Sequence, residues 1–347
     1  MTGGCSAASL DALPLPESTL VDVAGFLNLG VAKNTWSTYK TAERMLQECQ
    51  KRSGAAIELP ISTSDTVRFI HYLAKTRGLK GATIRGYLAG LRQLHITRGM
   101  EPPQALRCEL VKQMLRGLTN SDGMAKRSGQ HRGRLPITTG VMMLIKQLTR
   151  DAGWDSEKKL LFWAICTIAF AGAFRVHELL TRSPREFDPR FTLMTEDVQT
   201  TGDLLDRTAA LHFKLKSPKE AKSANPVVID ILQGEGHLCP VKAFRKWEKV
   251  RRPRSGSPLF SDSRGVLFTS RDLNDALKTL LGPYTDPSVG TFSSHSFRIG
   301  LATTLGSLGH SDSEVKAAGR WSSRAFEMYM KLPRGRRSDI SRGISNL

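Results

Sequence analysis

Three residues near the C-terminal end carry the strongest chemical signal in the chain. In the stretch TFSSHSFRIGLATTLGSLGHSDSEVKAAGRWSSRAFEMY, residues 291–329, His295 and Arg298 stand three apart in a helical pattern. Both side chains should therefore leave one face of the first helical turns. Ser293 and Ser294 precede them where an N-cap is wanted. That face offers cationic donors to an anion. Tyr329 follows thirty-one residues after Arg298 and closes an apolar, helix-like segment, and its phenol is the strong nucleophile candidate of the neighbourhood. A free phenol titrates near ~10, so only about one in a thousand is ionised at neutral pH, a penalty of roughly 4 kcal/mol if the phenolate is needed. Clustered positive charge lowers that penalty and stabilises an anionic transition state as well.

The rest of the chain has to build and hold such a cluster. Its 347 residues suggest two domains with ample material for a core. A composition 40% apolar and 7% aromatic is that of a globular protein. Lys and Arg number 51 against 32 Asp and Glu, a net charge of +19, which on a folded chain attracts a polyanion, nucleic acid foremost. The five cysteines, at 5, 49, 108, 166 and 239, are scattered and form no C-x-x-C. They read as reduced thiols in an intracellular compartment, with no zinc site. The opening MTGGCSAASLDALPLP lacks the basic and apolar regions of a signal peptide. The longest apolar run, residues 160–174, ends on Arg175 and falls short of the ~20 residues that span a bilayer, so it reads as a buried helix and no membrane partner is expected.

Taken in order, residues 1–16 read as a flexible lead. The pattern is helical over 17–119: Trp36, Tyr39, Leu46 and Cys49 keep one face, as do Val67, Ile70, Leu73 and Ala74, then Ile84, Tyr87, Leu88, Leu91 and Leu94, then Leu106, Leu110, Met114, Leu115 and Leu118. This predicts a bundle of four or five helices. Its polar faces carry Lys33, Lys40, Arg44, Lys80, Arg85, Arg92, Lys112 and Arg116, a sign bias that suits phosphate contacts as well as a solvated surface. Residues 120–135, NSDGMAKRSGQHRGRL, have no period and read as a basic linker whose Arg132 and Arg134 join the candidates for DNA contact. Beyond Pro136 helices are expected near 139–150 and from Lys159, then strands near 191–198, 209–216 and 227–231. In the second of these strands Leu211, Phe213 and Leu215 alternate with His212, Lys214 and Lys216, which puts the apolar three on one face. A helix opens at Cys239-Pro240, another follows PLFSDSRG, and dense basic runs lie at Lys249 to Arg254 and Arg334 to Arg337. Those runs suit phosphate contact, nuclear import or plain surface equally.

The H-x-x-R pair, a Gly followed by Arg-Trp, and a tyrosine nine residues after that Arg together resemble the C-terminal signature of the tyrosine recombinases, the phage-type integrases. The wording GRWSS-x-A-F-x-x-Y looks most like the eukaryotic mobile-element branch, the DIRS-type and Crypton-type recombinases. Gly172, Arg175 and Glu178 match the family's Gly-x-x-Arg-x-x-Glu phrase, and TIRGYLAGLRQLH is similar to its core-binding domain. The LGHS at 308–311 echoes the family's phrase before the nucleophile, but His310 lies nineteen residues before Tyr329 rather than about nine, so Gly319 is the corresponding glycine.

The resemblance implies a mainly α fold: an N-terminal helical core-binding bundle over 17–119, the linker, and a mostly helical integrase-type catalytic domain over 136–347 with a small antiparallel β-sheet and a tail at 330–347. It implies that Tyr329 attacks a DNA phosphodiester to give a 3′-phosphotyrosyl intermediate, with Arg175 and Arg298 on the non-bridging oxygens and His295 on the phosphate or the phenol proton. Lys216 would be the general acid, Glu178 an orienting group, and either Arg320 or Trp321 the residue at the family's His/Trp position. Lys214, Lys219 and Lys222 are the alternatives to Lys216. Double-stranded DNA is the expected partner, with self-association into a tetrameric synapse on it and no metal, ATP or small-molecule cofactor. Ile340, Ile344 and Leu347, spaced as one helical face, suit docking on a neighbouring protomer or on their own chain. Expected roles are integration or excision of a mobile element, in the nucleus if the source is eukaryotic. A relaxing type IB-like topoisomerase and a non-catalytic DNA-binding protein are the rival readings.

Overall fold

The computed structural model of the chain describes residues 5–10, 13–31, 33–127, 133–216, 227–252 and 255–328. Arg132, Lys219, Lys222, Arg254, Tyr329 and the tail 330–347 lie outside those residues. The chain divides into two compact units, Met1–His131 and Arg132–Leu347.

The first unit is all helical: α1 (Glu17–Leu29), α2 (Lys33–Ser53), α3 (Thr63–His71), α4 (Gly81–Thr97) and α5 (Glu109–Arg127), with a π-helical turn at Tyr72–Thr76. The apolar stripes read from sequence close on one core of Met45, Cys49, Phe69, Ile70, Leu73, Ile84, Leu88 and Leu91. At Gly90 the backbone of α4 meets α2 so closely that a Cβ would sit 2.8 Å from that of Ala42. His95 is a core histidine whose Nδ1–H donates to the Leu91 carbonyl at 2.8 Å while Nε2 accepts the Ile61 N–H at 3.1 Å, both ring nitrogens thus satisfied.

Three expectations for this unit need correction. The described part of the lead is packed rather than loose: Leu10 and Cys5 are buried against Ala24, and the Asn28 amide bonds both the N–H and the carbonyl of Cys5. Helix α5 runs through the first half of the stretch read as linker, to Arg127, with Asn120, Ser121 and Met124 on a solvated face that carries no apolar stripe for periodicity to show. Within α5 Val111 is fully buried, while Leu110, which the periodicity put on the apolar face, is 53% exposed.

The second unit contains β1 (Gly133–Arg134), α6 (Thr139–Asp151), α7 (Ser156–Ala171), α8 (Val176–Leu179), β2 (Val198–Thr201), β3 (Ala210–Leu215), β4 (Val227–Leu232), α9 (Pro240–Arg251), α10 (Ser270–Leu281), β5 (Gly290–Thr291), α11 (His295–Leu308) and α12 (Asp312–Ala318). Strands β2, β3 and β4 form an antiparallel sheet in that order, with Val198 opposite Phe213 and Ala210 opposite Leu232. Leu211, Phe213 and Leu215 face the core as their alternation required. The first strand begins at Val198 rather than 191: Leu193 and Met194 are buried, but their backbone pairs with Pro258 and Leu259 across a loop.

Helix α7 is buried nearly all round, as its unbroken apolar run demands, and Asp155 caps it by accepting the Lys158 N–H at 2.8 Å. It packs on α9, whose Trp247 is fully buried between Phe244 and Phe260. Arg251, part of the basic run at Lys249 to Arg254, is a strut of this core. Its guanidinium lies 5.1 Å over Trp247 and donates to Ser257 Oγ at 2.9 Å. Among the described residues no helix is long and apolar enough to cross a membrane.

Helix α11 crosses the chain ahead of α6 at its closest approach. Ile137 N–H donates to the Ser296 carbonyl at 2.9 Å, and a Cβ on Gly300 would lie 1.8 Å from the Ile137 carbonyl oxygen. Since two backbones cannot yield as a side-chain tip can, Gly300→Ala should destabilise the protein by about 1–3 kcal/mol. Urea unfolding of the variant against wild type, at matched pH, checks this.

Candidate active site

The site is built on the turn that ends α7. Gly172 caps that helix, and Phe174 folds back so tightly that a Cβ at 172 would lie 2.2 Å from its ring. Ala173 takes a left-handed φ of 44°, an unfavourable conformation for a residue with a Cβ. The turn places Arg175 at the N-cap of α8, where Glu178 reaches back: its Oε2 accepts the Arg175 backbone N–H at 2.8 Å and its Oε1 accepts Arg175 Nη1 at 3.0 Å. The Glu178 side chain is 1% exposed.

Two arginines from the C-terminal part of the unit finish on the same turn. Arg320 donates through Nη2 to Glu178 Oε2 and through Nη1 to the Gly172 carbonyl, both at 2.8 Å, and its guanidinium lies 5.3 Å from the Phe174 ring centre. Arg298, 2% exposed, donates to the Ala173 carbonyl and stacks 4.6 Å from the centre of the Trp321 indole. Arg320 therefore points into the Arg175–Glu178 pair and Trp321 lies on Arg298, so both residues left open at that position by sequence have partners. Arg320 itself has a left-handed φ of 51°. A Cβ at Gly319 would lie 1.7 Å from the Trp321 ring, so glycine is required there. Three arginines and one carboxylate leave this cluster with excess positive charge.

His295 opens α11, but the serine cap differs from expectation. Ser294 has helical backbone angles and makes no side-chain cap; its N–H donates to Asn274 Oδ1 at 2.9 Å, and the Ser293 N–H bonds Ser296 Oγ at 3.0 Å. Anchoring to α10 thus replaces the local cap. Partial burial, then the charges of Arg298, Arg134 and Arg175, hold the His295 imidazole below its usual pKa although its edge reaches solvent. Arg134 comes close because β1 pairs in parallel with β5, and its Nη1 donates to Thr291 Oγ1 at 3.2 Å. The sequence offered Arg134 as a DNA contact from the linker; the two-residue pairing that carries it to His295 left no readable signal.

After α11 the LGHS sequence forms a turn and a cap, as its spacing required. Gly309 ends α11 with φ 93°, and Ser311 and Glu314 form the capping box of α12. Ala302, Val315 and Phe326 then make a small core with Trp321 packed on it, leading to a 3₁₀ turn at Arg324–Met328. The described residues end there, one short of Tyr329.

Lys216 stands just beyond β3, and its Nζ is 2.7 Å from Asp197 Oδ2 and 2.8 Å from the Pro189 carbonyl, a set sharing no residue with the arginine cluster. Lys214 is exposed on the outer face of the sheet. The nearest link between sheet and cluster is Phe213, whose ring meets that of Phe174 edge-on at 5.2 Å. Phe174, which sequence reasoning missed, therefore serves both Arg320 and β3. In the first unit Lys40, Arg44, Lys80, Arg85, Arg92, Lys112 and Arg116 are all exposed. Arg44 is paired with Glu48, and Lys112 and Arg116 with Glu109, whereas Lys40, Lys80 and Arg92 make no ion pair among the described residues. Among the described residues no three His, Cys, Asp or Glu side chains come together in a way that could hold a metal ion.

No model of a known protein family matches the sequence, and no curated protein matches it. Solved structures do. The XerH site-specific recombinase bound to palindromic difH substrate superposes with a TM-score of 0.59 at 14% identity, covering 96% of this chain and 86% of that one. The Tn1549 transposon integrase in complex with transposon right end DNA gives 0.56 at 16% identity, covering 90% and 94%. The fold is that of the tyrosine recombinases. A lambda integrase dimer bound to a COC′ core site is also similar, with a TM-score of 0.52 at 13% identity over 87% of this chain and 72% of that one.

Two consequences of the site geometry are measurable. Glu178→Gln retains the shape of the side chain but leaves Arg175 and Arg320 facing one another without their carboxylate. Breaking a buried pair in this way should cost about 3–5 kcal/mol, read as a lower urea midpoint. For His295 the folded pKa lies below the unfolded value of about 6.5. Above that value the ring is neutral in both states and contributes nothing; as pH falls through it the unfolded chain takes up the proton first and stability is lost. The drop in unfolding free energy between pH 7.5 and 5.5 should accordingly be smaller in His295→Gln than in wild type.

Proposed function

We propose that this chain cuts and rejoins DNA as a tyrosine recombinase, through a 3′-phosphotyrosyl link to Tyr329, in the integration or excision of a mobile element of the eukaryotic DIRS-type or Crypton-type branch. The observation that carries the reading is the meeting of Arg175, Arg298 and Arg320 on one turn of a recombinase-type fold, with His295 close enough to feel the charges of Arg175 and Arg298 and Tyr329 following nine residues after Arg320 in the sequence. A phosphodiester resists attack because its charge repels nucleophiles and its alkoxide leaves poorly. Guanidinium groups answer the first difficulty, since their planar forks match phosphate oxygens and stay charged.

In this mechanism the Tyr329 oxygen bonds to phosphorus as the bond from phosphorus to the 5′ oxygen breaks. Arg175 and Arg298 hold the non-bridging oxygens, Arg298 pre-oriented by Ala173 and Trp321 and reached when Trp321 shifts. The depressed pKa of His295 keeps its ring neutral and able to take the phenol proton. Lys216 supplies a proton to the leaving 5′ oxygen. Glu178 and Arg320 position Arg175. The protein link conserves the energy of the broken bond, so resealing needs no ATP, and no step calls on a metal. The basic helices of the first unit hold flanking phosphates, and a tetramer on paired sites brings the exchanging strands together. In a eukaryotic host this work is nuclear.

The test is covalent capture. Wild-type and Tyr329→Phe protein are incubated with genomic or element-end DNA and denatured, and DNA retained on protein is sequenced. Adducts from wild type alone, carrying a 3′ phosphate on Tyr329, are expected. Absence of adducts from both proteins on DNA that both bind would leave a non-catalytic DNA-binding protein. Equal adducts from both would assign the nucleophile elsewhere. Cleavage at single, unpaired sites without exchange would favour the topoisomerase-like reaction.

A further inference from the structure

Lys216 is held in a way that its surface position does not require. It is the first residue after β3, and Asp197 is the last before β2; because Val198 stands opposite Phe213, the two lie at the same end of the sheet. The Lys216 ammonium sits 2.7 Å from Asp197 Oδ2 and 2.8 Å from the Pro189 carbonyl oxygen. The carboxylate is itself fixed. It is nearly buried, and the same Oδ2 accepts the Met194 N–H at 2.7 Å. The backbone at Leu193 and Met194 is pinned in turn to Leu259 and Pro258. An ammonium has three donors. Two are committed to this cradle, which fixes the direction of the third.

We propose that Asp197 is a positioning residue that holds Lys216 aimed as the proton donor to the leaving 5′ oxygen, an inference that rests on the strand-cleavage reading above. A general acid has to be protonated when the leaving group departs. It also has to stand where the leaving oxygen can reach it, and the Asp197 carboxylate and the Pro189 carbonyl together hold the Lys216 Nζ in one place. In the cleavage step the bond from the Tyr329 oxygen to phosphorus forms, the bond from phosphorus to the 5′ oxygen breaks, and that oxygen takes a proton from Lys216 Nζ. In resealing the neutral amine takes back the proton of the incoming 5′ hydroxyl. Asp197 touches no reacting atom and stays ionised throughout.

A sulfur atom in place of the bridging 5′ oxygen tests this, because a thiolate leaves without being protonated. Duplexes carrying the captured cleavage site are made with oxygen or with sulfur at that bridge, and cleavage rates are measured for wild type, Asp197→Asn, Asp197→Glu and Lys216→Ala. On the oxygen duplex Asp197→Asn and Lys216→Ala should be slowed by roughly 100-fold or more, with Asp197→Glu partly restored. On the sulfur duplex all four should cleave within about threefold of one another, which also shows that the variants are folded and bind DNA. Slowing of Asp197→Asn by the same factor on both duplexes, or no slowing on either, would overturn the proposal and leave Asp197 as a fold contact. Wild-type protein that cleaves neither duplex would overturn the strand-cleavage reading itself.

Discussion

A single buried carboxylate organises the second unit. Glu178 closes the N-terminus of a four-residue helix too short to be stable alone, accepts the side chain of Arg175, and accepts Arg320 from a segment far along the chain. Burying a carboxylate is unfavourable unless it is paired and hydrogen-bonded, and here both of its oxygens are used. The surrounding backbone accommodates the network at some cost of its own. Ala173 and Arg320, at its two sides, both hold left-handed backbone angles, which a chain tolerates only where the neighbouring contacts over-determine them.

Charge is deliberately unbalanced around that carboxylate. Two guanidinium groups, of Arg175 and Arg320, meet Glu178, and a third, of Arg298, bonds the Ala173 carbonyl on the same turn, while burial and then Arg298, Arg134 and Arg175 hold the His295 imidazole below its usual pKa. The aromatic rings of Phe174 and Trp321 receive the flat faces of Arg320 and Arg298, so their edges are left to polar partners. The cluster therefore keeps an excess of positive charge at one turn of the fold.

The two units solve different problems with the same material. The first packs a conventional helical core and shows its cations outward, some of them already neutralised by Glu48 and Glu109. In the second, the small sheet is less a surface than a bracket. Phe213 leans on Phe174, while the strand ends carry Asp197 and Lys216. Side chains that look alike in sequence thus diverge: Lys214 is solvated, Lys216 is locked, and Arg251, from a run that reads as surface, is a core strut.

The sequence by itself determined the helices, the inward alternation of Leu211, Phe213 and Leu215, the capped turn at LGHS, and the residue types gathered at the site. These follow from period, cap and turn chemistry, which act over a few residues. It also put Arg175, Glu178, His295, Arg298 and Arg320 in one list, through spacing that resembles a known signature. Only the tertiary structure decided who meets whom. The Arg320 and Arg298 bonds to the carbonyls of 172 and 173, the approach of Arg134 to His295 through two strand residues, the replacement of a serine cap by Asn274, and the pairing of Lys216 with Asp197 all join groups that the local pattern leaves independent. The reason is range. Backbone preference is written residue by residue, whereas a buried ion or an orphan N–H takes whichever partner the packing of distant segments delivers.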